Sequence, residues 1–125
     1  MTESQSDKVL IIAEAGVNHD GDLNQALKLV DVAADAGADI VKFQSFHASA
    51  LATSEAELAH YQRVGGVSEE NGGAGDQLAL LERLQLSRDD HLALMRHCAA
   101  RGIEFFSTAF DFGSLQLLVD LGVRR

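Results

Sequence analysis

Proline and tryptophan are missing from this chain, and cysteine occurs once in its 125 residues. Without proline, glycine alone must punctuate the elements, and 11 glycines are there to do it. The lone Cys98 excludes an internal disulfide and fits a reducing cytoplasm. No apolar run approaches the ~20 residues that a membrane-spanning helix needs, so no membrane partner is expected. Residues 1–7 are polar and acidic, unlike a secretory signal, and a cytoplasmic location is expected. Cations are scarce. Ten Lys and Arg stand against 19 Asp and Glu, for a formal net charge of −9. That balance argues against nucleic acid or an anionic membrane surface as a partner. It leaves open a small anionic substrate, which local charge can bind.

What is present is enough apolar surface for a core: 46% of residues are hydrophobic, which argues against disorder. The spacing predicts strands over residues 8–13, 39–44 and 104–108. Asp22, with Gln25 three residues on, has the pattern of a helix cap, and Leu23, Ala26, Leu27, Val30, Ala33 and Ala34 follow at helical spacing. Ser87 caps a second helix whose buried stripe is expected to be Leu92, Met95, Cys98 and Ala99. A third helix is expected over 111–121. Residues 45–76 form a long polar and small-residue segment with a short helix around 56–63, and one or two helical turns are expected after it, over 77–84.

Three times a helix gives way to glycine and then to an apolar run, after Gly37, Gly102 and Gly122. Helix, glycine, strand is the βα unit of a parallel sheet. Three units are less than half of a closed barrel, which typically takes about 250 residues. The expected fold is therefore α/β: the N-terminal part, about three βα units, of a truncated (β/α)8 TIM barrel. A small open three-stranded α/β domain is the alternative.

Strand side chains alternate between faces. On the second strand Val41 and Phe43 suit packing against helices, which leaves Lys42 and Gln44 on the opposite, inward face. Glu14 follows from the first strand, and Thr108 and Phe110 from the third if that strand continues far enough. Barrel enzymes keep their chemistry at this C-terminal end of the strands. A cation there suits a carboxylate or phosphate; an amide and a hydroxyl suit a polar substrate. The structural alternative is a buried Glu14–Lys42 ion pair, which would gain little stability over apolar residues. His19, in the Asn18-His19-Asp20-Gly21 loop before a helix, is either an acid–base group or metal ligand, or a loop histidine bonded to backbone. The other four histidines lack ligand spacing, and Cys98 falls on an apolar stripe.

Three motifs carry a resemblance. They are residues 12–21 (IAEAGVNHDG), 36–44 (AGADIVKFQ) and 106–111 (FSTAFD), with Tyr61-Gln62 and Leu84-Gln85-Leu86-Ser87 between them. In order and spacing they are similar to the N-terminal part of the sialic acid synthase family, which includes the N-acetylneuraminate, legionaminate and pseudaminate synthases. The resemblance runs from Val9 to the end of the chain. It implies a (β/α)8 barrel, usually followed by a small antifreeze-like domain. It also implies condensation of phosphoenolpyruvate with an N-acyl hexosamine such as N-acetylmannosamine, with phosphate release. The family uses Mn2+ or Mg2+ to activate the sugar aldehyde, and a homodimer is implied for the full-length proteins. By the same resemblance Lys42 contacts phosphoenolpyruvate, with Glu14 beside it as the second catalytic residue. Gln44, Thr108 and Phe110 line the sugar and phosphoenolpyruvate site. Ala109 stands where the family usually has proline. The family's metal-binding histidines, its further phosphoenolpyruvate-binding residues and the antifreeze-like domain are expected beyond Arg125. No metal ligand is therefore assigned in this chain, and the 125 residues alone are expected to be inactive. A non-catalytic α/β module that binds an anion or a partner protein is the competing expectation.

Overall fold

The computed structural model describes residues 7–52 and 74–125. Their element order is β1 (Ile12–Gly16), α1 (Leu23–Asp35), β2 (Ile40–Ser45), α2 (Ala48–Ala52), α3 (Ala74–Leu84), α4 (Arg88–Arg101), β3 (Glu104–Ala109) and α5 (Phe112–Asp120). The strands form one parallel sheet in the order β1-β2-β3. The expected helix at 56–63 and the Tyr61-Gln62 motif lie outside the described residues. Among the described residues, no helix is long and apolar enough to cross a membrane.

Each crossover follows from local chemistry. Asp22 caps α1, its carboxylate accepting from the Asn24 and Gln25 N–H groups at 2.7 and 3.3 Å. Ser87 and Asp90 form a reciprocal capping box on α4, both bonds being 3.0 Å. Gly102 ends α4 in the left-handed region at φ 70°, where a side chain would be strained. Asp111 caps α5. Helix α1 packs on α4, and both lie against the sheet. Ala26, Val30 and Ala33 of α1 and Leu94 and Cys98 of α4 meet Val41, Phe43 and Phe105 of the sheet in one core. Phe43 is fully buried, stacked on Phe105 with ring centroids 5.8 Å apart. Burial pushes the Cys98 thiol up to about 12, as befits a core residue.

Three expectations need correcting. The first strand begins at Ile12 and runs to Gly16, instead of spanning 8–13. Parallel pairing starts where β2 starts, at Ile12 opposite Ile40, and the Val9, Leu10 and Ile11 side chains stay exposed. Residue 11 is the last tie before it: its carbonyl accepts from the Asp39 and Ile40 N–H groups at 2.9 and 3.1 Å, and the Asp39 carboxylate accepts from the Ile11 N–H and from Lys8 Nζ, both at 2.9 Å. On α4 the buried face is His91, Leu94 and Cys98; Leu92 and Met95 are half-buried and Ala99 is exposed. Apolar spacing alone does not mark that face, because a histidine opens it. Residues 45–76 also include the end of β2 and then a helix, α2, whose Ala48 N–H donates to Gln85 Oε1 at 2.9 Å.

Candidate active site

Alternation along the strands separates two polar sets. Val41, Phe43 and Ser45 turn toward the helices and are buried, while Lys42 and Gln44 are half-buried on the other face. On β3, Phe105 and Ser107 are buried while Phe106 and Thr108 keep partial exposure. The register aligns Glu14 with Lys42 and Lys42 with Phe106, and one step on it pairs Gln44 with Thr108. Four of the expected residues therefore share one face toward the C-terminal ends of the strands. Lys42 Nζ lies 2.8 Å from Glu14 Oε2. The pair is not buried in this chain, since the two side chains keep 31% and 49% of their exposure. Its worth to stability is accordingly small, about 0–1 kcal/mol.

Gly16 makes room for this group. It sits in a register shift of β1 at φ +56°, and a Cβ there would stand 3.1 Å from Glu14 Oε1 and 3.6 Å from Gln44 Nε2. Glycine adopts that backbone conformation without strain, and a side chain there would press on the Glu14 carboxylate. Phe110 is placed differently from the others. Strand β3 ends at Ala109, and Phe110 is half-exposed, though its N–H continues the ladder to the Ser45 carbonyl at 3.0 Å. It borders an open cleft of about 790 Å³ together with His47, Asp111, Phe112 and Leu115.

Behind the strand ends lie groups that sequence reasoning missed. Ser45 Oγ is 2.7 Å from His91 Nε2 and 2.6 Å from Ser107 Oγ, with all three residues buried. His91 Nδ1 lies 2.7 Å from the Ser87 carbonyl, which can only accept, so the neutral ring carries its proton on Nδ1. Nε2 then accepts from the Ser45 hydroxyl, which accepts from Ser107. A signal for this was present. Serines 45 and 107 fall on the helix-facing parity of their strands, where a hydroxyl must find a partner. A second cluster joins the loops after β2 and β3. The Asp111 carboxylate accepts from the His47 and Ser114 N–H groups, both at 2.7 Å, and from the Ser114 hydroxyl at 3.0 Å; His47 Nδ1 is also 3.0 Å away. Burial raises the Asp111 carboxyl, but these bonds outweigh it and hold the group at about 2.

His19 takes the backbone-bonded role of its two alternatives. It is fully buried, and its Nδ1 accepts from the Gly21 N–H at 2.9 Å. Nε2 finds no hydrogen-bond partner among the described residues. Burial pushes the His19 imidazole below its usual range, against the raising influence of Asp90 and Asp20. His91 is lowered for the same first reason, opposed by the Ser87 carbonyl and Asp90 and assisted by His47. Both rings are thus folded as neutral groups. Stability is expected to be full above the unfolded histidine value of 6.5 and to fall as pH drops below it, because the unfolded chain then binds more protons. Asp111 adds a second loss between 3.8 and about 2. Melting temperatures from about pH 2 to 8 check this, and His91→Leu should flatten the upper phase.

No three His, Cys, Asp or Glu side chains among the described residues converge to hold a metal ion. The divalent metal implied by the resemblance therefore finds no ligand set among them.

Residues 29–125 match the NeuB family. The chain is 46% identical over 117 residues to the N,N'-diacetyllegionaminic acid synthase of Campylobacter jejuni, covering 94% of this chain and 34% of that protein. It is 45% identical over 115 residues to the enzyme of the same name from Legionella pneumophila, covering 92% and 31%. Its fold superposes on the N-acetylneuraminic acid synthetase of Leptospira borgpetersenii, solved with citrate, at a TM-score of 0.70 and 32% identity, covering 98% of this chain and 38% of that one. The chain thus spans about a third of the length of the curated relatives it matches.

Proposed function

The chain belongs to the NeuB family, and on that premise we propose that its strand ends supply part of the active site of a nonulosonic acid synthase. In this reading β1–β3 are the first three strands of a (β/α)8 barrel. The enzyme, cytoplasmic and dimeric, condenses phosphoenolpyruvate with an N-acylated amino sugar and releases phosphate. The names of its relatives favour a diacetylated sugar leading to a legionaminic acid.

The observation that carries the reading is the placement of Lys42. Among the described strand residues it is the cation of the accessible sheet face, and it is held by Glu14 at 2.8 Å beside Gln44 and Thr108. A lysine is a compact, strongly hydrated charge, suited to a carboxylate or phosphate oxygen. Glu14 orients the ammonium before substrate arrives and limits the net charge of the empty site. Gln44 offers both a donor and an acceptor, and Thr108 a hydroxyl, to the neutral sugar. Phe110 supplies an apolar wall at the mouth. The divalent ion, Mn2+ or Mg2+, would activate the sugar aldehyde when bound by residues other than those described.

The test is a chimera in which this chain replaces the matching segment of the C. jejuni synthase. Phosphate release from phosphoenolpyruvate that depends on an N-acylated amino sugar is the expected result. A folded but inert chimera would favour the non-catalytic binding module.

A further inference from the structure

Ser45 stands at a junction. It follows Gln44 on β2 and pairs with Ala109 on β3, and its carbonyl accepts from the Phe110 N–H at 3.0 Å. Its hydroxyl is shared between His91 and Ser107, and Ser107 precedes Thr108. Three residues expected to face substrate are therefore bonded to, or adjacent in the chain to, members of one buried polar trio.

His91 is itself fixed at both nitrogens. Its Nδ1 is on the Ser87 carbonyl and its Nε2 on Ser45, while its ring lies edge-on to Phe105 with centroids 6.2 Å apart. Ser87 is the cap of α4, so the imidazole braces the first turn of that helix against the ends of β2 and β3. Apolar side chains could fill this space at no cost in desolvation, and such replacements are often neutral or stabilising. What the hydroxyls and imidazole add is direction: one bond between β2 and β3 and one from α4 to β2, at the point where the backbone ladder runs out.

We propose that His91 is a positioning residue of the site, fixing through Ser45 and Ser107 the strand ends that present Gln44, Thr108 and Phe110. It acts from the rear of the sheet and touches no substrate. The inference rests on the synthase reading.

The chimera with the C. jejuni remainder provides the test. In it, the all-apolar variant His91→Leu/Ser45→Ala/Ser107→Ala is expected to melt close to its parent. Its kcat/KM for sugar-dependent phosphate release, measured well below the melting temperature, is expected to fall at least tenfold. A stability role alone would move melting and spare the kinetics. His91→Gln, which can return an acceptor to Ser45, should recover part of the activity lost in His91→Leu, although both lose the bond to Ser87. A triple variant that melts and turns over like its parent overturns the proposal. So do equal kcat/KM values for His91→Gln and His91→Leu, and that comparison decides the matter if the triple variant does not fold. A parent chimera without activity would remove the synthase reading and this inference with it. An active parent with an unaffected triple variant removes this inference alone.

Discussion

Lys42→Ala in the chimeric synthase is expected to cost about 2–5 kcal/mol in phosphoenolpyruvate affinity or turnover, roughly 30-fold to several thousand-fold, if the charge is desolvated in the closed site. The fold should survive the change. Helix-facing packing on β2 comes from Val41 and Phe43, both fully buried, and Lys42 contributes none of it. In the present chain its ion pair is half-exposed, so its loss should lower stability by no more than about 1 kcal/mol. Lys42→Arg should not restore full activity, because the planar guanidinium is larger and directs its donors differently. The contrasting account makes Lys42 the partner of a structural pair with Glu14. That account expects a large drop in melting temperature for Lys42→Ala, recovery in the Glu14→Ala/Lys42→Ala double variant, and near-normal kinetics. Melting and steady-state kinetics on these variants separate the two, and near-normal turnover in Lys42→Ala would sink the functional one.

The second large effect concerns the 125 residues expressed alone. They are expected to release no phosphate from phosphoenolpyruvate with any amino sugar, and to self-associate. The sheet face carrying Glu14 and Lys42 is open, so the charges work in water, where a pair at 4 Å is worth about 1 kcal/mol. Apolar side chains are also left accessible. Ile11 and Ile12 are about half-exposed on the first strand and its approach, and Phe112, Leu115 and Val119 form an exposed stripe on α5. Strands β1 and β3 are both edges of the sheet, and exposed edges invite pairing with another chain. Light scattering should show oligomers, and the thermal transition should be broad. A monodisperse monomer with a sharp melt, or sugar-dependent turnover that survives purification and vanishes in Lys42→Ala, would contradict this.

Much of this arrangement was legible in the residues themselves. Alternation on β2 separates Val41 and Phe43 from Lys42 and Gln44 without reference to any relative, and the register then brings Glu14 and Thr108 alongside. The caps at Asp22 and Ser87 mark two helix starts because their side-chain oxygens meet N–H groups that the helix leaves unpaired. The first strand was misplaced because an apolar run looks the same whether or not it has a partner to pair with. Only the start of β2 decides that Ile12, and not Val9, joins the sheet. The His91–Ser45–Ser107 trio and the Asp111 clasp on His47 were not legible by spacing. Their bonded pairs, His91–Ser45, Ser45–Ser107 and Asp111–His47, are 46 to 64 residues apart, and each is a tertiary meeting of residues whose local setting is unremarkable. The exception is the parity of the two serines, which marks them as buried hydroxyls in want of partners. Phe110 shows the limit of alternation, which holds only while the strand lasts; β3 stops one residue short of it.

The central claim is that the face shared by Glu14, Lys42, Gln44 and Thr108 receives phosphoenolpyruvate. A crystal structure of the chimera with phosphoenolpyruvate bound tests it most directly. The account predicts a carboxylate or phosphate oxygen within about 2.7–3.2 Å of Lys42 Nζ, with the Thr108 side chain beside the ligand. Phosphoenolpyruvate bound elsewhere, with Lys42 still paired to Glu14 and its face empty, would contradict it.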